Sequence, residues 1–237
     1  MNQKNTDTII IASIDMIENR ATLISIPRDL YYKNSKINSI YLRFGADVLK
    51  SNISELTGLR IDKYVLVEMY AFADLVNVLG GIDVELTEPL IDPTYRVRDA
   101  NGKWSTLYYP AGVHHVNGVE ALRIARARHF TPVFSRDLRQ QQILGAVRNK
   151  LMSIGMTDIG KLTKMIRLGF KYVETDISWL EAFNLYKNCQ DVSIKNVVVN
   201  TDNVLYATYT DYGAWIVMPL DNDFKVIKKF IEEKIAE

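Results

Sequence analysis

Residues 62–86, DKYVLVEMYAFADLVNVLGGIDVEL, constrain the fold more tightly than any other stretch. The apolar run YVLVEM reads as a buried-type strand. YAFADLVNVL reads as an apolar helix, and Gly80-Gly81 supplies the C-cap, where the chain needs a left-handed backbone to leave the helix. IDVELT then returns to the apolar/polar alternation of a strand with one buried face. A strand, a helix and a strand in such close succession require helices layered on a sheet, which is an α/β domain.

The rest of the chain repeats this alternation. TDTIIIASID and RATLISIP are β-branched runs on either side of the polar DMIENR, and they predict a hairpin of residues 8–14 and 21–26. After an irregular stretch, a helix is expected from about Gly45 to Leu56, stopped by Gly58. Residues 87–112 read mostly as loop, with a small hairpin turning at Asn101-Gly102. NGVEALRIARAR predicts a helix with Asn117 as N-cap. A second helix, roughly Arg136 to Met152, carries Leu138, Ile143, Leu144, Val147 and Leu151 at helical spacing. Further helices are expected near Ile159–Tyr172 and over SWLEAFNLYKN. Strands SIKNVVVN and GAWIVMPL and the amphipathic helix DFKVIKKFIEEKI complete the chain. With 48% hydrophobic residues and no linker or repeat, residues 1–237 read as one domain, its core about 7–152 and residues 153–237 packed on it.

Charge is the next constraint. The net charge is only +1, yet RIARARHFTPVFSRDLRQQQ places Arg123, Arg126, Arg128, Arg136 and Arg139 close together. A nucleic-acid binder usually shows a basic excess over a whole face or domain. A local cluster points instead to a discrete anionic ligand. Arg126 and Arg128 leave one face if the backbone between them is extended, and diverge if the helix continues. Arg136 and Gln140, at i and i+4, share a helix face. Forked guanidinium donors with an amide suit a phosphate clamp. The other reading is a solvated surface laced by salt bridges.

Other residues invite similar pairs of readings. Arg28 and Asp29 lie just past the strand TLISIP, where binding groups often sit, or else form an ordinary exposed turn. Asp7 precedes the first strand, where a carboxylate either holds a hard cation such as Mg²⁺ or serves a turn. Lys36 and Asn38 flank an apolar run, and a surface lysine is the plain alternative. His114, His115 and His129 do not stand at metal-ligand spacing, and His114-His115 reads as a structural pair in a loop. The single cysteine, Cys189, forms no intramolecular disulfide. No nucleophilic serine motif, P-loop or dinucleotide glycine pattern is present. The N-terminus shows neither a signal peptide nor a membrane span.

Taken in order, TDTIIIASID, TLISIPRDLYY, KINSIY, IDKYVLVEMYAFADLVNVLGGIDVEL, AGVHHVNGVEALRIARAR and SRDLRQQQIL resemble the LytR-CpsA-Psr family. The specific elements are IPRD, the unit ending in LGGIDV, NG-x-EAL ahead of R-x-R, and R-x-x-RQQQ, from about Asp7 to Met152. A weaker likeness continues through TDISWLEAFNL to the last helix. The resemblance implies a three-layer α-β-α sandwich around a mixed central sheet. It implies transfer of a glycopolymer from a polyprenyl-pyrophosphate carrier to a peptidoglycan hydroxyl, in the assembly of teichoic acid or capsule. It implies pyrophosphate binding by Arg28, Lys36, Arg126, Arg128, Arg136 and Gln140, a metal carboxylate in Asp7, and Mg²⁺, with Mn²⁺ as its substitute. Arg28 and Asp29 would be catalytic. Ile143, Leu144, Val147, Leu151 and Met152 would line a tunnel for the lipid, or serve as ordinary core. The expected place is the extracytoplasmic face of a bacterial membrane, reached through an anchor on the full-length protein.

Three features depart from the family pattern. Its earlier strand with a Gly-x-Asp motif, like its membrane anchor, has no counterpart in this sequence. Asn5 stands where an arginine is usual, and Val133-Phe134 where Asp-Phe is usual. A non-catalytic module that binds polyprenyl-linked glycan is therefore the alternative function. A transcriptional attenuator, the family's older label, is a third, and the near-neutral charge argues against it.

Overall fold

The computed structural model describes residues 5–98, 102–127 and 136–237. The chain divides into two compact units, one made of residues up to Tyr64 together with Asp191–Glu237, the other of Val65–Gln190. The α/β class expected from the sequence is the class observed.

The first unit begins with β1 (Ile9–Asp15), β2 (Arg20–Ile26), β3 (Tyr31–Tyr32), β4 (Ser35–Lys36), α1 (Asn38–Phe44) and α2 (Ala46–Thr57). The predicted hairpin is present, with β1 antiparallel to β2 from Ile9↔Ile26 to Asp15↔Arg20. Asp15 closes its turn by accepting from the Ile17 and Glu18 amides at 2.9 and 3.0 Å. Gly45 separates α1 from α2 at φ +83°, and Gly58 ends α2 in the left-handed conformation, as the sequence indicated. The stretch read as irregular holds α1. That helix has no side-chain cap, and burial of Ile37 and Ile40 holds it in place.

The second unit contains β5 (Val65–Val67), α3 (Met69–Val78), β6 (Ile82–Leu86), β7 (Leu90–Arg98), β8 (Trp104–Tyr109), β9 (Gly112–Val116), α4 (Gly118–Arg126), α5 (Arg136–Thr157), α6 (Ile159–Gly169), β10 (Val173–Thr175) and α7 (Trp179–Asn188). The expected buried strand YVLVEM is a correction: only Val65–Val67 pair, with β10, and Val65 is exposed. Residues 87–112 are also more regular than expected, because β7 and β8 form an antiparallel ribbon with a bulge between Asp92 and Arg96. His114 and His115 lie in β9 rather than in a loop, and His115 Nδ1 is 2.6 Å from Asp83 Oδ1 across the β6–β9 pair. Val76, Ile82, Val84, Leu107, Ile124 and Ile143 are buried in this unit's main core.

The chain returns to the first unit with β11 (Ser193–Val198), β12 (Leu205–Tyr209), β13 (Trp215–Pro219) and α8 (Lys225–Ala236). β11 pairs in parallel with β2, so the sheet β1-β2-β11 is mixed. A parallel neighbour needs a crossover connection, and here the whole second unit lies between the two strands in sequence. Ile24, Leu30, Ile37, Leu56, Val199, Ile227 and Ile231 are the most deeply buried side chains of this unit's core.

Candidate functional site

In the first unit the polypeptide leaves the buried β2 through Pro27, and the next two side chains are Arg28 and Asp29. Their backbone is stapled on two sides. The Arg28 carbonyl accepts from the Asn38 amide at 3.2 Å, and the Asp29 carbonyl from the Val217 amide at 3.1 Å. Leu30, fully buried, forms a parallel bridge with Val217. The turn is therefore fixed from below, and its two charged side chains reach upward into a small ionic network.

Arg28 is the centre of that network. Its Nη1 donates to the Asp7 carboxylate, and its Nε donates to Asp29 Oδ2 at 3.3 Å. Lys36 Nζ donates to Asp29 Oδ1 at 2.6 Å. Asp7 is brought in by Thr6, whose amide and hydroxyl both reach the Asn38 carbonyl, at 3.1 and 3.3 Å. Asn38 thus ties together the segment of Asp7 and the segment of Arg28. Its own side chain is 7% exposed, and Oδ1 has no hydrogen-bond partner among the described residues. A buried polar atom without a partner calls for an explanation, and a bound polar group is one. Sequence reasoning noted Asn38 but gave it no role; the available signal was an asparagine between Ile37 and Ile40, at the head of an apolar helix.

In the second unit the arginine-rich segment resolves into distinct tasks. α4 starts at a full capping box, in which the Asn117 side chain accepts from the Val119 and Glu120 amides and Glu120 reaches back to the Asn117 amide. Gly118 is required there, because a Cβ would stand 1.9 Å from the Ala73 carbonyl oxygen of α3. Arg126 is the last residue of α4 and is exposed. Ala127 then turns to an extended backbone, φ −57° and ψ 134°. Arg128, like residues 129–135, lies outside the described residues, so the geometry of the Arg-x-Arg pair does too.

Arg139 is 4% exposed, and its Nη2 donates to the Ala127 carbonyl. Burial holds its pKa below the usual arginine value, with nearby Arg136 adding to the effect and buried Asp92 opposing it. Gln141 is buried, and Gln142 Nε2 donates to the Glu85 carbonyl of β6. These three side chains secure α5 to its surroundings. The remaining pair, Arg136 and Gln140, share one face of the helix, as their spacing predicts. Arg136 Nε and Gln140 Oε1 are both buried, with no partner among the described residues, and the Asp137 carboxylate stands 3.7 Å from Arg136 Nη2.

Of the tunnel candidates, Ile143 is part of the core, Val147 and Leu151 pack against core clusters, Met152 is partly buried and Leu144 is 40% exposed. No helix among the described residues is long and apolar enough to cross a membrane.

A divalent cation can be tested against these groups. Among the described residues no three His, Cys, Asp or Glu side chains gather to form a metal cage. Asp7 and Asp29 both contact the Arg28 guanidinium, which puts two hard oxygen donors on one group. Mg²⁺ is commonly held by one or two carboxylates with substrate phosphates completing its shell. The donor set fits that arrangement and no all-protein cage.

The LytR_cpsA_psr family model matches residues 1–228. The chain belongs to the LytR-CpsA-Psr family. Among curated relatives it is similar to TagV of Bacillus subtilis, named a polyisoprenyl-teichoic acid–peptidoglycan teichoic acid transferase, at 31% identity over 76% of this chain and 47% of the relative. It is similar to the cell wall biosynthesis protein LcpA of Corynebacterium glutamicum at 28% identity, over 98% of this chain and 49% of the relative. TagU of Bacillus cereus, named as the same kind of transferase as TagV, is 28% identical over 84% of this chain and 62% of the relative. The chain thus spans about half the length of the curated relatives it matches. Among solved structures, B. subtilis TagV superposes with a TM-score of 0.75 at 25% identity, covering 99% of this chain and 91% of that one. B. subtilis TagU superposes at 0.70 with 25% identity, covering 98% and 92%. For a LytR-CpsA-Psr chain the family match takes in both compact units, so both cationic clusters fall within it.

Proposed function

We propose that this chain transfers a glycopolymer from a polyprenyl-pyrophosphate carrier to a hydroxyl of peptidoglycan. The observation that carries the reading is the buried Nε of Arg136, which has no partner among the described residues and lies on the same helix face as Gln140. Asp137 reaches only Nη2 of this guanidinium, at 3.7 Å, which leaves Nε as a donor for an anionic ligand. Two curated relatives are named as transferases of teichoic acid to peptidoglycan, which supports the same substrate class.

The groups proposed to bind the pyrophosphate are Arg28, Lys36, Arg126, Arg128, Arg136 and Gln140. The acceptor hydroxyl attacks the phosphorus on the glycopolymer side. The new phosphodiester forms as the phosphoanhydride breaks, and polyprenyl monophosphate leaves. Guanidinium donors stabilise the charge that builds on the leaving phosphate, and one such donor is worth about 10²–10³ in rate. Asp29 takes the hydroxyl proton. It is held by Arg28 and Lys36 in the structure. When those cations turn to the pyrophosphate, Asp29 loses its partners and becomes the better acceptor. Asp7 would hold Mg²⁺, or Mn²⁺, which when bound supplies charge neutralisation at the phosphate oxygens. Leu144, Val147 and Leu151 of α5 contact the lipid chain. The setting is the outer face of the bacterial membrane, with the full-length protein anchored there.

The test is phosphorus NMR of the chain with a short-chain polyprenyl-pyrophosphate disaccharide, Mg²⁺ and a peptidoglycan oligomer, with mass spectrometry of the oligomer. Polyprenyl monophosphate together with a glycan-bearing oligomer supports the transferase. A shift of the pyrophosphate resonances without turnover would instead identify a binding module, a reading favoured by the engagement of Asp7 with Arg28.

A further inference from the structure

The ribbon β7–β8 has two unlike faces. Leu90, Asp92, Val97, Leu107 and Tyr109 lie on one, and its apolar members belong to or pack against the second unit's core. The register places Ile91, Arg96, Arg98, Trp104, Thr106 and Tyr108 on the other. All six are exposed, with Trp104 at 51% and Tyr108 at 58%. Arg98 stands across the ribbon from Trp104 with its guanidinium carbon 4.7 Å from the indole centre. Among the described residues, no carboxylate forms an ion pair with Arg96 or Arg98.

From this surface we infer a second binding site, for the anionic, phosphodiester-linked part of a glycopolymer. The inference rests on the transferase reading for the source of the polymer. Its chemistry comes from the ribbon. Arg96 and Arg98 are two residues apart on one face, about 7 Å along the strand, so each can meet a different phosphate of an extended chain. Flat exposed rings beside them offer stacking surfaces for sugar or polyol carbon. The interleaving of cations with rings along one narrow strip suits a linear polyanion. A bilayer is the competing occupant, since Trp, Tyr and Arg also favour membrane interfaces. The sequence between the two strands, DANGK, is polar and carries an acid, which disfavours a bilayer. The site would hold the carried chain by its repeats, while the pyrophosphate end is gripped elsewhere.

The experiment is titration of the chain with lipid-free poly(glycerol phosphate) teichoic acid, beside an Arg96→Ala/Arg98→Ala double variant and Trp104→Ala. Geranyl pyrophosphate is titrated into the same proteins. We expect the double variant to bind the polymer at least tenfold more weakly, with the same Tm and the same affinity for geranyl pyrophosphate. Trp104→Ala should weaken polymer binding in the same direction. Equal polymer affinity in parent and double variant overturns the site, as does a parent that does not bind the polymer. Loss of binding to phosphatidylglycerol vesicles, with polymer binding intact, also overturns it and gives the surface to the bilayer. Failure of the parent to bind geranyl pyrophosphate would count against the transferase reading and leaves the polymer result to be read separately.

Discussion

Lys36 Nζ lies 2.6 Å from Asp29 Oδ1, on a carboxylate whose other oxygen already accepts from Arg28. The side chain proposed as proton acceptor is thus held in reserve by the two cations proposed to bind substrate. Partly exposed pairs of this kind contribute little to stability individually, about 0–1 kcal/mol. Their value is in orientation. Asp29→Asn should therefore change Tm by only a few degrees while lowering turnover severely, with pyrophosphate binding retained. Calorimetry and the phosphorus NMR assay on the same sample separate the two effects.

Arg28→Ala removes the group that contacts both Asp7 and Asp29. Its backbone remains tied to Asn38, so the turn should persist. A fall of about 10²–10³ in turnover is expected, the usual cost of one preorganised donor. Kinetics at saturating Mg²⁺ check it, and Arg28→Lys should recover little because a point charge cannot span two carboxylates.

Arg139 is expected to matter for a different reason. Its guanidinium is buried against the Ala127 carbonyl, the residue between Arg126 and Arg128. Arg139→Met keeps the bulk but strands that carbonyl, at a cost of about 1–3 kcal/mol. Pyrophosphate affinity should fall as well, because the end of α4 loses its brace to α5. Thermal melts with parallel titrations would show both changes.

Gly118→Ala tests the packing of α3 on α4. The new Cβ would stand 1.9 Å from the Ala73 carbonyl oxygen, and backbone on both sides leaves no flexible atom to yield. Destabilisation of about 3 kcal/mol is expected, at the upper end for overpacking. Urea denaturation measures it directly.

The pH dependence of stability has two limbs near α2. Lys33 Nζ donates to Glu55 Oε2 at 2.6 Å, and this contact, with a smaller one from Tyr32, holds the Glu55 pKa below the usual carboxylate range. Its contribution is present above the unfolded value of about 4.3 and is lost as pH falls through the lower folded value. Tyr32 is pushed up to about 12 by burial, with Glu55 adding to the shift. Its contribution is present below the unfolded value of about 10 and disappears as pH rises toward about 12. Melting curves across the pH range should show a plateau between these limbs, and Lys33→Met should flatten the acid one.

Much of this was legible in the sequence. β1 and β2 were, because two β-branched runs flank a short polar turn. The helix α4 was, because Asn117 and Glu120 spell out its capping box. The helix α1 was not, because it is seven residues long and no side chain caps it. β9 was missed because its partner is β6, and β7 and β8 lie between the two in sequence, so no local pattern announces the pairing. For the candidate groups, the i, i+4 relation of Arg136 and Gln140 was readable. That Arg139 and Gln141 would be buried and Gln142 tied to β6 was not, since three adjacent glutamines look alike until the helix is docked. The network through Asn38 also depends on tertiary hydrogen bonds, to Thr6 and Arg28, that spacing does not encode.

The central claim is that Arg136, whose Nε has no partner among the described residues, donates to a pyrophosphate, with the Gln140 amide beside it on the same helix face. Isothermal titration of geranyl pyrophosphate into the parent chain and an Arg136→Ala/Gln140→Ala variant tests it most directly. The account predicts clear binding by the parent, and at least a tenfold loss in the variant without a matching loss in Tm. Equal affinity in the two proteins would contradict it.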